Sequence, residues 1–246
     1  MMQTATLTKD SPFYHADEIK AQPATKKSNI YSYTTRDVQI VRMLEKHKAM
    51  TAYVIGNLFW PHGSTAYKDR LKYLTQTGFM TRYELYNQGN IALTVYGVGP
   101  TAKKFIPDLE YEEIKDPLQA VRYAAANRFY LMLRQNKTVP EYSVMPGYIA
   151  ARFNYAFVDV ELSFTLCIPR PADNIMTVVQ AFRNLPPSDS RVIVLASSRE
   201  HAVYLASELE RAGVVVPVRY TWDRLMAEAK IDELFWAYRD GELKRG

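Results

Sequence analysis

TAYVIGNLFWPHGSTAYKDRLKYLTQTGFMTRYELYNQGNIALTVYGV, residues 51–98, changes its hydrophobic period once, and that change decides the fold. Residues 51–60 have helical character and stop at Pro61, which lacks the N–H that a continuing helix needs. Pro61-His62-Gly63 then makes a turn, and Ser64 offers its hydroxyl as N-cap to a further helix reaching Thr77. On that helix Tyr67, Leu71 and Leu74 recur at i, i+4, i+7 as an apolar face. Thr65, Lys68, Asp69, Lys72 and Gln76 fall on the opposite, presented face. Gly78 ends the helix, and from Phe79 the period falls to two: Phe79, Thr81, Tyr83 and Leu85 alternate with Met80, Arg82, Glu84 and Tyr86. Asn87-Gln88-Gly89-Asn90 tolerates positive φ and closes a hairpin, along which Ile91, Leu93 and Val95 alternate back.

Upstream, Thr34 and Thr35 can cap a helix ending near Ala49, whose Val38, Ile40, Val41, Met43 and Leu44 make a broad apolar face. Three helices and a hairpin over residues 31–106 form the pattern of a winged helix-turn-helix domain. Residues 1–30, rich in Thr, Lys, Ala, Asp and Pro without a sustained period, read as a flexible arm. Downstream, a short helix at 101–106 leads into an acidic connector at 107–116 and a long helix at 117–135 with Pro117 in its first turn. Strands are then expected at 142–151, 155–167, 191–196, 214–220 and 234–239. Helices are expected at 173–184 and 199–212, with a helical turn at 222–226. This alternation predicts a mixed-sheet α/β domain over 117–246, so the class is α/β, or α+β over the whole chain.

The formal charge of +5 is unevenly spread. Residues 31–106 hold ten Lys and Arg (Arg36, Arg42, Lys46, Lys48, Lys68, Arg70, Lys72, Arg82, Lys103, Lys104) against four acids (Asp37, Glu45, Asp69, Glu84), whereas the chain after Ile106 is slightly acidic. A polyanion would therefore meet the first domain. The single Cys167 lies in an apolar stretch and reads as a core residue, with neither disulfide nor zinc cluster. No apolar run approaches the ~20 residues of a membrane span, and the start of the chain has no hydrophobic signal core, so a cytoplasmic protein without membrane contact is expected. His15, His47, His62 and His201 lack metal-ligand spacing and read as surface or capping residues. Glycine-rich phosphate loops and serine-nucleophile motifs are missing, so no cofactor is expected.

A helix fits the major groove, and the exposed N-terminal half of the third helix is the natural reading head for double-stranded DNA. Ser64, Thr65, Lys68, Asp69 and Lys72 are placed there, with Gln76 at the far end. On the hairpin, Arg82 and Tyr86 can meet phosphate or the minor groove, or simply be solvated. Asp159 and Glu161, two apart in the strand expected at 155–167, would share a face. They could hold a divalent cation or form a solvent-facing acidic edge.

Arg36-Asp37-x-x-Ile40-x-x-x-Leu44 in the first domain, Leu93-Thr94-x-x-Gly97 on the hairpin, Ala126-Asn127 in the long helix and the strands that follow appear in a telling order. That order resembles the replication-relaxation family of plasmids and integrative elements. The resemblance implies that residues 117–246 adopt a restriction-endonuclease-like, PD-(D/E)-x-K nuclease fold. Met145-Pro146-Gly147 then takes the place of a Pro-Asp pair with Gly147 where the acid would be, Asp159 and Glu161 lie on the next strand, and Ser163 stands where a lysine would be. An inactive scaffold rather than an enzyme is expected. The implied function is sequence-specific DNA binding in replication, relaxation or mobilisation of a plasmid or mobile element. A second copy of the chain and replication or relaxase proteins are the further partners. A winged-helix repressor with a C-terminal dimerisation or sensor domain, and a metal-dependent nuclease, are the alternatives.

Overall fold

The computed structural model describes residues 13, 16–26, 33–136, 141–157, 160–185, 191–214, 216–228 and 233–245. Part of the stretch expected to be a flexible arm is a strand: β1 (Glu18–Gln22) pairs antiparallel with β2 (Met80–Asn87), Ala21 opposite Tyr83. The Asp17 carboxylate beyond its start accepts the Gln88 N–H at 3.0 Å, and past its end the Thr25 and Lys26 N–H groups donate to the Gln76 carbonyl. Thr34 caps α1 (Thr35–His47) through a reciprocal box, its hydroxyl accepting the Asp37 N–H while the Asp37 carboxylate accepts the Thr34 N–H at 2.6 Å. α2 (Ala52–Phe59) is capped by Thr51. α3 (Ala66–Gln76) starts one residue later than expected, with Thr65 in the N-cap position and the Ser64 hydroxyl accepting the Ala66 N–H at 3.3 Å. β2 and β3 (Asn90–Val98) form the hairpin, turned by Gln88 and Gly89 at positive φ, and α4 (Pro100–Phe105) follows.

The second part builds a seven-stranded mixed sheet in the order β10-β9-β8-β7-β6-β5-β4. After α5 (Pro117–Asn136) come β4 (Tyr142–Val144), β5 (Ile149–Phe157) and β6 (Val160–Cys167), paired antiparallel in turn. α6 (Ile175–Arg183) and α7 (Arg199–Arg211) cross over to β7 (Arg191–Ala196) and β8 (Val218–Trp222), so that β6, β7 and β8 run parallel. α8 (Leu225–Glu228), β9 (Trp236–Arg239) and β10 (Glu242–Arg245) follow. Alternation on β7 sends Val192, Val194 and Ala196 toward α6 and α7, and Ile193 and Leu195 toward α5 and α8.

Two strand expectations need correction, and one strand is additional. The strand expected at 142–151 is broken at Gly147, which has φ +93°. The one expected at 155–167 is two, because Phe157 and Val160 face each other across a hairpin. β10 was not foreseen, although Asp240 and Gly241, both at positive φ, make the two-residue turn that pairs Arg239 with Glu242.

The connector at 107–116 marks where the chain crosses from one part to the other, but the packing does not divide there. Ala49, Tyr83, Leu85 and Val95 of the first part share one apolar cluster with Ala120, Val121, Ala124, Phe129, Tyr142 and Phe153 of the second. The cause lies in α5, whose Ala124, Ala125, Ala126, Phe129 and Leu131 are buried all round the helix and must be covered from both sides. At the seam, Asn127 Nδ2 faces the carbonyl oxygens of His47 (2.9 Å), Ala49 (2.7 Å) and Tyr123 (2.9 Å). An amide nitrogen only donates, so Asn127 Oδ1 is the acceptor and the His47 proton sits on Nδ1, 2.6 Å away. The connector itself is strapped to α1 by Arg42–Asp108 (2.6 Å) and Lys48–Glu112 (3.7 Å). Among the described residues no helix is long and apolar enough to cross a membrane.

Candidate nucleic-acid interface

α2 and α3 meet where α2 has no side chain: a Cβ on Gly56 would lie 2.9 Å from the Tyr67 ring. The other anchor of α3 is ionic. Arg70 Nε donates to Asp37 Oδ1 at 2.9 Å, and the guanidinium also pairs with Oδ2. Burial pushes the Asp37 carboxyl up, but hydrogen bonds from Arg70 and from Thr34 outweigh it and hold the group below the usual carboxylate range. With Leu71 and Leu74 buried beneath it, α3 presents Thr65, Lys68, Asp69 and Lys72 to solvent. Neither lysine has a carboxylate partner among the described residues. Ser64 is half-buried in its capping role, and Gln76 is half-buried beside the chain leaving β1.

The hairpin residues Arg82 and Tyr86, expected to meet phosphate or the minor groove or to be solvated, are engaged within the protein. Buried Glu84 gathers both: it accepts from the Tyr86 hydroxyl at 2.9 Å and from Gln22 Nε2 at 2.8 Å, and pairs with Arg82 at 2.8 Å. Its carboxylate pushes the Tyr86 hydroxyl pKa up. Lys20 lies 4.6 Å over the Tyr86 ring, so β1 covers this edge of the hairpin. Arg42, Lys48, Arg70 and Arg82 all hold carboxylates, and two of these, Asp108 and Glu112, come from the connector and reduce the basic excess of the first part. Arg36, Lys46, Lys68, Lys72, Lys103 and Lys104 are exposed.

No family model, curated protein or solved structure matches the chain. Its chemistry has to be read from its own residues.

In the second part, Asp159 lies outside the described residues, and Glu161 is placed by its backbone on β6 opposite Ala156. The Gly147 N–H donates to Gln119 Oε1 at 2.8 Å, and the Ser163 hydroxyl to Asn154 Oδ1 at 3.0 Å. Among the described residues no group of three or more His, Cys, Asp or Glu is arranged to hold a metal ion. Cys167 is a core residue as expected, its thiol pushed by burial to about 12.

Sequence reasoning missed a buried polar layer at the carboxyl ends of β6, β7 and β8. Arg170 and Asp223 pair at 3.2 Å with neither side chain exposed, and Arg122 pairs with Asp173. Beside them the Ser197 N–H donates to His201 Nδ1 at 3.3 Å, with the Ser197 hydroxyl 3.0 Å from the same nitrogen. Nδ1 is thus the acceptor, and burial followed by the Arg170 charge pushes this imidazole down to about 3. His47 is pushed down to about 4, by burial against a partly compensating hydrogen bond to Asn127. Both histidines were expected at the surface or in caps, and both are buried. The signal was present: His47 continues the Ile40, Leu44 row of α1, and His201 opens the Leu205, Leu209 row of α7.

Proposed function

We propose that this chain is a sequence-specific duplex-DNA-binding protein of the winged helix-turn-helix type, with α3 as its reading helix. One observation carries the reading: Thr65, Lys68, Asp69 and Lys72 stand exposed on a helix whose opposite face is anchored by Leu71, Leu74 and the Arg70–Asp37 pair. A helix about 10–12 Å across fits a major groove about 12 Å wide. Lysine suits guanine O6 and N7, threonine suits either base edge, and aspartate accepts from cytosine N4. The resemblance to replication-relaxation proteins supports a place in replication, relaxation or mobilisation of a plasmid or mobile element. It also supports a restriction-endonuclease-like second part serving as a scaffold, with Gly147 and Ser163 at the positions of an acid and a lysine.

The test is selection of duplex fragments by the full chain, followed by titration of the selected site. Affinity should fall steeply between about 50 and 200 mM salt as counterions are released. Lys68→Ala or Lys72→Ala should cost on the order of 1–3 kcal/mol on the selected site and relax its base preference. Lys103→Ala and Lys104→Ala should act equally on all sequences. Salt-independent binding, or equal losses at both places, would overturn the assignment.

A further inference from the structure

Among the described residues, every Lys or Arg that is partly or fully buried holds a carboxylate, with one exception. Arg128 on α5 is half-buried, and its guanidinium lies 4.2 Å from the centre of the Tyr53 ring instead. Tyr53 is in the first turn of α2 and is 48% exposed. Among the described residues none of the Arg128 N–H groups has an acceptor, and none is sealed in the interior. Stacking on a tyrosine face holds a guanidinium in one plane and leaves its edge free for an anion.

The position of this stack suggests which anion. Tyr53 precedes Gly56, the residue at which α2 meets Tyr67 of α3, by three residues, or about 4.5 Å along the helix axis. In helix-turn-helix proteins the helix before the reading helix crosses the DNA backbone. A major groove about 12 Å wide that is filled by α3 brings its phosphate rim within reach of that turn. We infer that Arg128 contacts a DNA phosphate, so that the second part of the molecule lends a residue to the nucleic-acid interface of the first. This rests on the DNA-binding reading above. Arg is suited to the role because it meets phosphate oxygens bidentately.

The test uses the full chain and its selected duplex, with binding measured over a range of salt. Arg128→Gln should weaken binding about tenfold on every duplex and lower the slope of log affinity against log salt by about 0.9. Base preference should stay unchanged, and Arg128→Lys should restore the slope because it keeps the charge. Wild-type protein that binds no duplex overturns the DNA-binding reading itself. If wild type binds and Lys68→Ala weakens it while Arg128→Gln leaves affinity and slope alone, only the Arg128 assignment falls. A loss in Arg128→Gln that Arg128→Lys does not repair marks a packing role and overturns the assignment too.

Discussion

Asn127 commits its whole amide to the seam, and the consequence for His47 is a ring that must stay neutral. In the unfolded chain that ring titrates near its ordinary 6.5, whereas in the fold it titrates at about 4. Above pH 6.5 neither state carries the proton and the full stability is present. As pH falls through that value the unfolded chain takes up a proton the native ring refuses, so stability declines until the native ring protonates near 4. The expected loss from His47 is at most about 3 kcal/mol, and His201 adds a decline in the same direction reaching to about 3. Urea midpoints at about pH 7.5 and about pH 5 measure it. His47→Gln should be less stable at the higher pH and show a shallower decline, and parallel curves for the two proteins would exclude His47 as the titrating group.

At the scale of elements, two glycines set helix positions by different means. A Cβ on Gly99 would lie 2.2 Å from the Gly78 carbonyl oxygen, which is backbone and cannot swing away. On Gly56 the obstacle is the half-buried Tyr67 ring, which can. Gly99→Ala should therefore cost more than about 3 kcal/mol and Gly56→Ala about 1–2 kcal/mol, read from chemical unfolding. Comparable costs would show that the two approaches are equally soft. Most of these elements were legible in the sequence, because a periodic apolar face and a capping threonine announce α1, Pro61 stops α2, Ser64 and an apolar face announce α3, and Gln88-Gly89 announces the turn. β1 was hidden because Ile19 is its only large apolar residue. The break between β5 and β6 was hidden because hydrophobic alternation runs on through 157–161 with no Gly, Pro or Asn to mark a turn. The exposed row of α3 was readable for the same reason as its apolar face. The engagement of Arg82 and Tyr86 by Glu84 was open to the same reading, since residues two apart on a strand share a face, but the Lys20 cover from β1 was not, since it comes from a strand more than sixty residues earlier.

For the whole molecule, the composition shift at 107–116 marks the crossing of the chain, and one apolar cluster draws residues from both sides of it. The run Ala124-Ala125-Ala126 through Phe129 to Leu133 is apolar on every side of α5, which requires cover from both parts. A chain ending at the connector would leave Tyr83, Leu85 and Val95 bare, and the His47 and Ala49 carbonyls without their amide donor. We expect that truncated chain not to reach a cooperative fold, and the full chain to unfold in a single transition by far- and near-ultraviolet circular dichroism alike. Two separated transitions, or a sharp transition in the truncated chain, would show that the parts are independent.

The seam also has a meaning in time. His47 and Asn127 are 80 residues apart in the chain, so at roughly 5–20 residues per second α5 leaves the ribosome some 4–16 s after α1. For that interval the nascent first part carries an uncovered apolar face and cannot close around it. Synthesis that stalls between the two therefore yields an adhesive intermediate for chaperones to hold, not a smaller working protein.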